Sequence, residues 1–363
     1  MKDLDSPSAS SGNSRGNAHI AAVAAVTAPY VMGQSQAKGF IFKHYSNRLN
    51  ARSLRIMGKV FDHPSIRYRN FAFEDPESIF DEDPDSRISR FTHWAVELSA
   101  ASVSKALAQA GLKPGDVSAL VVNTCTGYIC PGISSYLIER LGLSRRVEAY
   151  DLVGSGCGGA VSNIRLAESL LTGPHGIVVS VSVEICSATF QMGDDVSLIV
   201  SNALFGDGAA AAVLWMRPKG FQLVASSSYH APEHRDAIRY IHKNGQLYNQ
   251  LSPRLPLLVK EAVSQLVHDV LAKHSLDVKD VRHWALHTGG DKILCAIADD
   301  IGLSELQMHA SRQVLSRYGN MSSPSVLFAF REILQNGVEQ GDWCMLVAFG
   351  AGLSAHGFLL KME

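Results

Sequence analysis

Several features that mark common classes of protein are missing from this sequence. No apolar run is long enough to span a bilayer, and a formal net charge of −1 over 363 residues provides no field for nucleic acid or an anionic membrane. There is no Gly-x-Gly-x-x-Gly motif after a first strand and no Walker loop. We therefore expect a soluble globular protein without nucleic-acid or membrane partners.

The cysteines show no pairing pattern. There are six, and Cys125 and Cys130 are too far apart for a Cys-x-x-Cys knuckle. No histidine pair completes a zinc set, so we expect no metal. Free thiols are typical of a reducing compartment, which indicates the cytoplasm.

The N-terminus has little that could form a core. Residues 1–18 are rich in Ser, Asn and Gly, and they predict a disordered tail. The short apolar run at 20–26 could imitate a signal peptide, but the segment before it carries both acidic and basic residues. A first core strand is the better interpretation.

Apolar stretches of strand and helix character alternate along the rest of the chain. The predicted strands are 19–29, 120–124, 150–153, 177–183, 209–214, 221–227, 283–287 and 343–349. The predicted helices are 51–61, 91–110, 133–141, the segment after Cys157, 257–271, 292–301 and 323–335. This α/β alternation predicts mainly parallel sheets covered by helices. The pattern restarts near residue 217, which suggests two similar halves, 19–216 and 217–363.

The chain is organised around a glycine-rich turn that carries Cys157. A short apolar strand turns at Gly154 and Gly156 and continues into an amphipathic helix. The free N–H groups and the dipole at a helix N-terminus favour a thiolate, so we expect a lowered pKa and a nucleophilic Cys157. The alternative is a small buried apolar cysteine without a chemical role.

Two other polar residues lie on glycine-marked loops. His287 ends a predicted strand before Gly289 and Gly290, where α/β sheets place site residues. Asn320 lies in a polar loop before a helix, where its ordinary role would be capping. The order Cys, His, Asn also occurs in papain-like proteases, but the βαβ series that leads to Cys157 does not fit them.

Five motifs together resemble the type III polyketide synthases of the chalcone synthase superfamily. They are Gly156-Cys157, Ala203-Leu-Phe-Gly-Asp-Gly-Ala209, His287-Thr-Gly-Gly290, Tyr318-Gly-Asn-Met-Ser-Ser323 and Ala348-Phe-Gly-Ala-Gly-Leu353. They occur in order between about residue 19 and the end. The resemblance implies a thiolase-type fold, with two related αβ halves in a five-layer αβαβα arrangement, as a homodimer. It also implies CoA-thioester substrates and no metal or organic cofactor.

The same resemblance implies roles for three residues. Cys157 would carry the acyl chain, and His287 would keep the sulfur ionised and help to hold the thioester oxygen. Asn320 would donate to the same oxygen and help to stabilise the enolate left when malonyl-CoA loses CO₂. Removing one such donor typically costs about 10²–10³ in rate. The implied partners are malonyl-CoA and an acyl-CoA starter.

Pocket residues follow from the resemblance in the same way. Phe205 and Tyr248 correspond to two gate positions, and bulky Tyr240 stands in the starter pocket, which predicts a small starter. Ala351 replaces the proline usual in the family. The remaining cavity positions are Cys125, Thr126, Cys186, Thr189 and Ser322. The predicted CoA-binding residues are Arg55, Lys59, Gly289 and Lys292.

We therefore expect iterative condensation of malonyl-CoA units onto a Cys157-bound starter, which could itself be malonyl-derived. Ring closure would then give a small aromatic polyphenol or a pyrone. A ketoacyl-ACP synthase III-like enzyme is the first alternative, since it would share the fold and the triad. The second alternative is a non-catalytic thiolase-fold partner, whose expected mark is the loss of a triad residue. All three are present.

Overall fold

A computed structural model of the chain describes residues 17–171 and 176–363. Most of the predicted disordered tail, residues 1–16, lies outside these ranges. Asn17 and Ala18 lie inside them, and the Ala18 carbonyl accepts a hydrogen bond from Leu223 N at 2.8 Å. The last two residues of the predicted tail are therefore part of the folded structure. No helix in the described ranges has the length and apolar character needed to cross a membrane.

The described residues form helices and strands that alternate along most of the chain. The helices are α1 Gln34–Tyr45, α2 Ala51–Phe61, α3 Pro84–Ala110, α4 Ile133–Leu141, α5 Gly159–Ser169, α6 Val196–Leu204, α7 Leu255–Ala272, α8 Asp291–Ile301, α9 Glu305–Tyr318 and α10 Ser325–Gln335. The strands are β1 His19–Thr27, β2 Tyr30–Gly33, β3 Tyr68–Phe71, β4 Ala119–Asn123, β5 Glu148–Leu152, β6 Ile177–Glu184, β7 Gly208–Trp215, β8 Phe221–His230, β9 Ile238–Lys243, β10 Gln246–Leu251, β11 His283–Leu286, β12 Trp343–Gly350 and β13 Ser354–Met362.

The main sheet contains the same strand arrangement twice. In the first half the order is β4-β6-β7-β1, with β5 outside β4, and in the second half it is β11-β12-β13-β8. The pairs β4/β6 and β11/β12 are parallel, and the other neighbours within each four-strand set are antiparallel. The two sets meet where β1 pairs with β8 over two residues. The expectation of two related halves agrees with this repeat.

Burial on both faces of each set shows the layers. Val23 of β1 packs into a central core with α5 and α10, whereas Ala24 faces an outer core with α3 and α4. In the second half, Leu346 of β12 faces the central core and Val347 faces an outer core with α7 and α8. Because successive strand residues point to opposite faces, each sheet lies between two helical layers. The five-layer αβαβα arrangement is confirmed.

The expected strand direction needs correction, and the expected boundary between the two halves stays a prediction. The prediction of mainly parallel strands is wrong, because five of the eight neighbouring pairs in the main sheet are antiparallel and three are parallel. Strands that return through tight connections, as β12 and β13 do, pair antiparallel without a crossover helix. The boundary expected between residues 216 and 217 falls in the turn between β7 and β8; it stays a prediction.

Several elements have no counterpart in the sequence-based assignment. They are α1, α6, α9, β2, β3, β13 and the hairpin β9–β10. The β9 strand has mostly exposed residues, so it lacks the apolar alternation that would indicate a strand. Helix α3 also begins seven residues earlier than expected, because Asp83 caps it with a side-chain bond to Ser86 N and Pro84 stands in its first turn.

Candidate active site

Cys157 lies on a turn of the first half that packs against the second half. Strand β5 ends at Leu152, a single 3₁₀ turn spans Gly156–Gly158, and α5 begins at the next residue. A Cβ added at Gly350, the end of β12, would lie 2.6 Å from Ser155 O and 3.0 Å from Cys157 N. Only glycine admits this approach, so the nucleophile turn of the first half rests on the end of a strand of the second half.

Ser322 connects Cys157 to its surroundings. Its Oγ donates to Cys157 Sγ at 3.3 Å and also lies 3.3 Å from Cys125 Sγ. Its backbone N donates to Asn320 Oδ1 at 2.7 Å. Ser322 has a positive φ of 56°, a conformation that L residues adopt rarely and that often marks a functional loop. One serine thus joins the thiol, the neighbouring Cys125 and the predicted oxyanion donor.

The amide of Asn320 is oriented by its own loop. Asn320 N donates to Leu204 O, and Gly206 N donates to Asn320 O, both at 2.9 Å. These bonds hold the loop beside Phe205. Because Asn320 Oδ1 already accepts from Ser322 N, the amide Nδ2 is the group left to donate to a substrate oxygen. Asn320 is therefore held by the bonds of its own loop and not by a capping bond to the following helix.

His287 follows the C-terminal end of β11, as expected. Its backbone N donates to Val347 O at 2.9 Å, and its ring packs edge-on against Phe349 at 4.9 Å between centroids. The residue is 1% exposed, and Nδ1 has no hydrogen-bond partner in the described part of the chain. Both His287 and the Cys157 turn therefore lie against the last residues of β12.

Burial shifts the pKa values of both groups away from their charged forms. It raises the pKa of the Cys157 thiol to about 12 and lowers the pKa of His287 to about 3. The lowered Cys157 pKa predicted from the helix end is therefore wrong for the thiol by itself, since desolvation outweighs the backbone N–H effect. An ionised thiol in this site needs a compensating partner charge.

Glu184 is a buried carboxylate that the sequence analysis missed. It ends β6, is fully buried, and accepts hydrogen bonds from Cys125 N at 2.9 Å, Thr126 Oγ1 at 2.9 Å and Ser323 Oγ at 2.6 Å. Burial raises its pKa. A single acidic residue at the end of the apolar run 177–184 was the signal that could have identified it.

A cavity of about 870 Å³ lies next to this cluster. Its wall contains five of the predicted pocket residues, namely Cys125, Thr126, Thr189, Tyr240 and Ala351. Two more, Cys186 and Phe205, line a smaller cavity of about 50 Å³, and Thr189 lines both. The structure thus brings seven of the nine predicted pocket residues together around two adjoining spaces, and Ser322 and Tyr248 line neither.

The second predicted gate, Tyr248, is in neither wall. In the β9–β10 hairpin, Tyr248 pairs with Ile241, whereas Tyr240 pairs with Asn249. Because strand residues alternate between faces, Tyr248 and Tyr240 point to opposite sides. Asn249 lines the small cavity with Phe205. Tyr248 therefore lines neither cavity, and its role as a gate stays a prediction.

The predicted CoA-binding residues lie on separate elements. Arg55 and Lys59 are exposed one turn apart on α2, which is the second helix and not the first. Lys292 is exposed at the start of α8, and Gly289 precedes it against Phe349. None of these four residues lines either cavity. Their role stays a prediction.

The layer order and the buried cysteine, histidine and asparagine define a thiolase-type condensing fold. Comparisons with known proteins agree. The protein-family model described as "FAE1/Type III polyketide synthase-like protein" matches residues 35–229. The family model described as "Chalcone and stilbene synthases, C-terminal domain" matches residues 222–362. The chain belongs to the type III polyketide synthase family.

Individual relatives and solved structures are similar over most of the chain. A 3,5-dihydroxyphenylacetyl-CoA synthase of Streptomyces toyocaensis is 29% identical, over 82% of this chain and 80% of the relative. A 1,3,6,8-tetrahydroxynaphthalene synthase of Streptomyces peucetius subsp. caesius is 32% identical, over 73% and 72%. The crystal structure of PKS-I from the brown alga Ectocarpus siliculosus superposes with a TM-score of 0.89 at 27% identity, over 97% of this chain and all of that one.

The opposed pKa shifts generate a test of His287. We expect Cys157 to react with iodoacetamide near neutral pH in the wild type and to need strongly alkaline pH in His287→Gln. A thiol with a pKa of about 12 is almost fully protonated at pH 7, and an imidazolium partner is what would stabilise its thiolate. Peptide mass spectrometry of the Cys157 adduct against pH measures this. The matched control is His283→Gln on the same strand; equal pH profiles in both variants would contradict the pairing.

Proposed function

We propose that this chain condenses malonyl-CoA units decarboxylatively onto an acyl group carried by Cys157, and that the product cyclises in the adjoining cavity. The observation that carries the proposal is the connected set Cys157–Ser322–Asn320 beside a space of about 870 Å³. A buried nucleophile, an oriented amide donor and room for a growing chain are what iterative acyl transfer needs.

The mechanism follows from these positions. The Cys157 thiolate attacks the starter thioester, and CoA leaves as its thiol after taking a proton. Malonyl-CoA then loses CO₂, and the resulting enolate oxygen is held by Asn320 Nδ2 and the His287 ring. The enolate carbon attacks the Cys157 thioester, the C–S bond breaks, and the sulfur is free to accept the lengthened chain.

His287 has the right chemistry to compensate Cys157. Each group is disfavoured in its charged form by burial, so neither ionises readily alone. Transfer of one proton from the thiol to the imidazole creates both charges together, and their attraction in a site of low dielectric offsets the desolvation of each. The unpartnered Nδ1 leaves the ring without another hydrogen-bond constraint in the described structure.

The CoA thioester is the only cofactor-like group in this proposal. Arg55, Lys59 and Lys292 are exposed cations that could hold its phosphates outside the cavities. Gly289 belongs to the same proposed CoA arm, and a Cβ there would lie 2.6 Å from the Phe349 ring. Malonyl-CoA and an acyl-CoA starter are the substrates. All six cysteines are free thiols, which supports a reducing, cytoplasmic location.

The ketoacyl-ACP synthase III alternative differs from this proposal in the carrier of the malonyl group. Both family models that match the chain describe the polyketide branch, and several relatives carry names of aromatic products or pyrones. An enzyme of the alternative kind would accept malonyl groups from acyl carrier protein. The non-catalytic alternative is disfavoured because Cys157, His287 and Asn320 are all present and buried.

We also infer that each half, 19–216 and 217–363, forms one thiolase-like unit and that the chain assembles as a homodimer. Among the described residues β5 pairs with β4 alone, so its outer edge has no strand partner there, and Tyr150 on it is 42% exposed. Tyr128, which follows Cys125 and Thr126, and Val153, which follows β5, are also exposed. Native proteins rarely leave the unpaired edge of a strand uncovered.

Sedimentation velocity of the purified chain checks the assembly. We expect a dimer of about twice the 39.2 kDa chain mass at micromolar concentration. The variant Tyr150→Glu should shift it toward monomer, because a charge on the free edge opposes pairing with a second copy. The matched control is Tyr68→Glu on β3, a tyrosine elsewhere that is 51% exposed. A monomeric wild type would contradict the inference.

Removing the nucleophile tests the reaction itself. We expect wild-type protein with malonyl-CoA to release CO₂ and form a polyketide, and Cys157→Ala to form none, because no sulfur remains to carry the chain. Mass spectrometry of products and of intact protein measures both steps. The control is Cys130→Ala, which removes an exposed cysteine. Product formation by Cys157→Ala would refute the proposed mechanism.

The bulk of Tyr240 generates a prediction about the starter. Tyr240 lies in the cavity wall, and burial raises the pKa of its phenol. We expect malonyl-CoA alone, or the shortest acyl-CoAs, to prime the wild type, and Tyr240→Gly to accept longer chains. Product profiles against acyl chain length measure this. Ile241→Gly, on the opposite face of β9, controls for the backbone effect; equal profiles in both variants would exclude a pocket role.

A further inference from the structure

The large cavity contains a guanidinium that the proposed reaction does not use. Arg87 lies in the first turn of α3, lines the cavity and is 6% exposed. Its Nε donates to Asp81 O at 2.7 Å. Its Nη1 is buried and has no hydrogen-bond partner among the described residues. This residue of the wall therefore carries a buried N–H group that no other described residue satisfies.

The wall around Arg87 is cationic. Arg235, Arg239 and His242 also line the cavity, and none of the lining residues in the described ranges is Asp or Glu. Arg235 and Arg239 are exposed, and Arg239 is already paired with Asp236 at 2.5 Å. They belong to the outer part of the wall. Arg87 is thus the buried member of this set.

A buried guanidinium without an anion has a large desolvation cost. Asp81 and Glu82 lie near enough to favour its charged form, but none of the ion pairs within residues 17–171 and 176–363 includes Arg87. Desolvation lowers its pKa. A planar guanidinium binds a carboxylate through two parallel hydrogen bonds. The carboxylate thereby supplies both the missing hydrogen-bond acceptors and the opposite charge.

We propose that Arg87 binds a free carboxylate at the distal end of the acyl group, so that this enzyme prefers starters derived from dicarboxylic acids. The starter would be loaded as a thioester on Cys157 and would keep its second carboxylate, which is anchored at Arg87. This rests on the proposed function. It adds a substrate class to it: short CoA thioesters that end in a carboxylate and not in a methyl group.

The phosphates of CoA are the other anions that could reach a cationic site. Three observations favour the carboxylate. Arg87 is buried, it shares its wall with Thr126 and Tyr240 near the cysteine cluster, and exposed cations on α2 and α8 are available for phosphates.

The test measures binding without turnover. In a Cys157→Ala background, calorimetry gives dissociation constants for glutaryl-CoA and pentanoyl-CoA, which have equal chain length and differ in the terminal carboxylate. We expect tighter binding of glutaryl-CoA, and we expect Arg87→Met to lower that preference about 10- to 100-fold, as for loss of a charged hydrogen-bonded pair. Arg87→Lys keeps the charge without the fork and should lower it less.

Arg90→Met is the matched control. Arg90 lies one turn further along α3, and its guanidinium donates to Ser78 O and Ser187 O and does not line the cavity. We expect this variant to keep the glutaryl preference. Thermal melting checks that each variant is folded, and Arg87→Lys keeps the test usable if Arg87→Met does not fold.

Three outcomes would overturn the inference. They are no glutaryl preference in the Cys157→Ala protein, an unchanged preference in Arg87→Met, and an equal weakening of glutaryl-CoA, pentanoyl-CoA and free CoA, which would assign Arg87 to the phosphates. Failure of the proposed function is a separate result, because it would show as no CO₂ release from malonyl-CoA by the wild type with any starter.

Discussion

The close approach of two backbones, one from each half of the chain, is the constraint on which this site depends. The turn at Gly156–Gly158 rests on the end of β12, where a side chain at Gly350 would collide with Ser155 O and Cys157 N. Cys157, Cys125 and Glu184 come from the first half, and His287, Asn320 and Ser322 come from the second. Without this contact neither half holds a complete site.

Burial strengthens the hydrogen bonds and ion pairs of the site, and it also disfavours the charged forms of its groups. Cys157, His287 and Glu184 are all almost inaccessible to water, and desolvation disfavours the charged form of each. In such a medium hydrogen bonds and ion pairs are stronger, so an oriented amide and a paired imidazole have larger effects than they would in water. The same physics makes an unpaired cation in the adjoining wall, such as Arg87, a recognition element for anions.

Much of the cavity wall comes from elements at the margin of the layers. The sheets and the helices α3, α5, α7 and α10 fix the positions of the reactive groups, whereas the β9–β10 hairpin and the start of α3 supply much of the wall. A change in the hairpin, such as bulk at Tyr240, alters the space without moving Cys157. Loops and hairpins carried on a rigid scaffold are where substrate choice is commonly set.

The sequence by itself determined the nucleophile turn, the strand end that carries His287, the loop that carries Asn320, and most core elements, because these depend on local signals such as glycine turns and apolar periodicity. The tertiary structure alone decided which strands pair antiparallel, that Asn249 rather than Tyr248 faces the small cavity, and that Glu184 lies behind Ser322. It also reversed the expected direction of the Cys157 pKa shift. Pairing, facing and desolvation arise from residues distant in sequence, so no local pattern contains them.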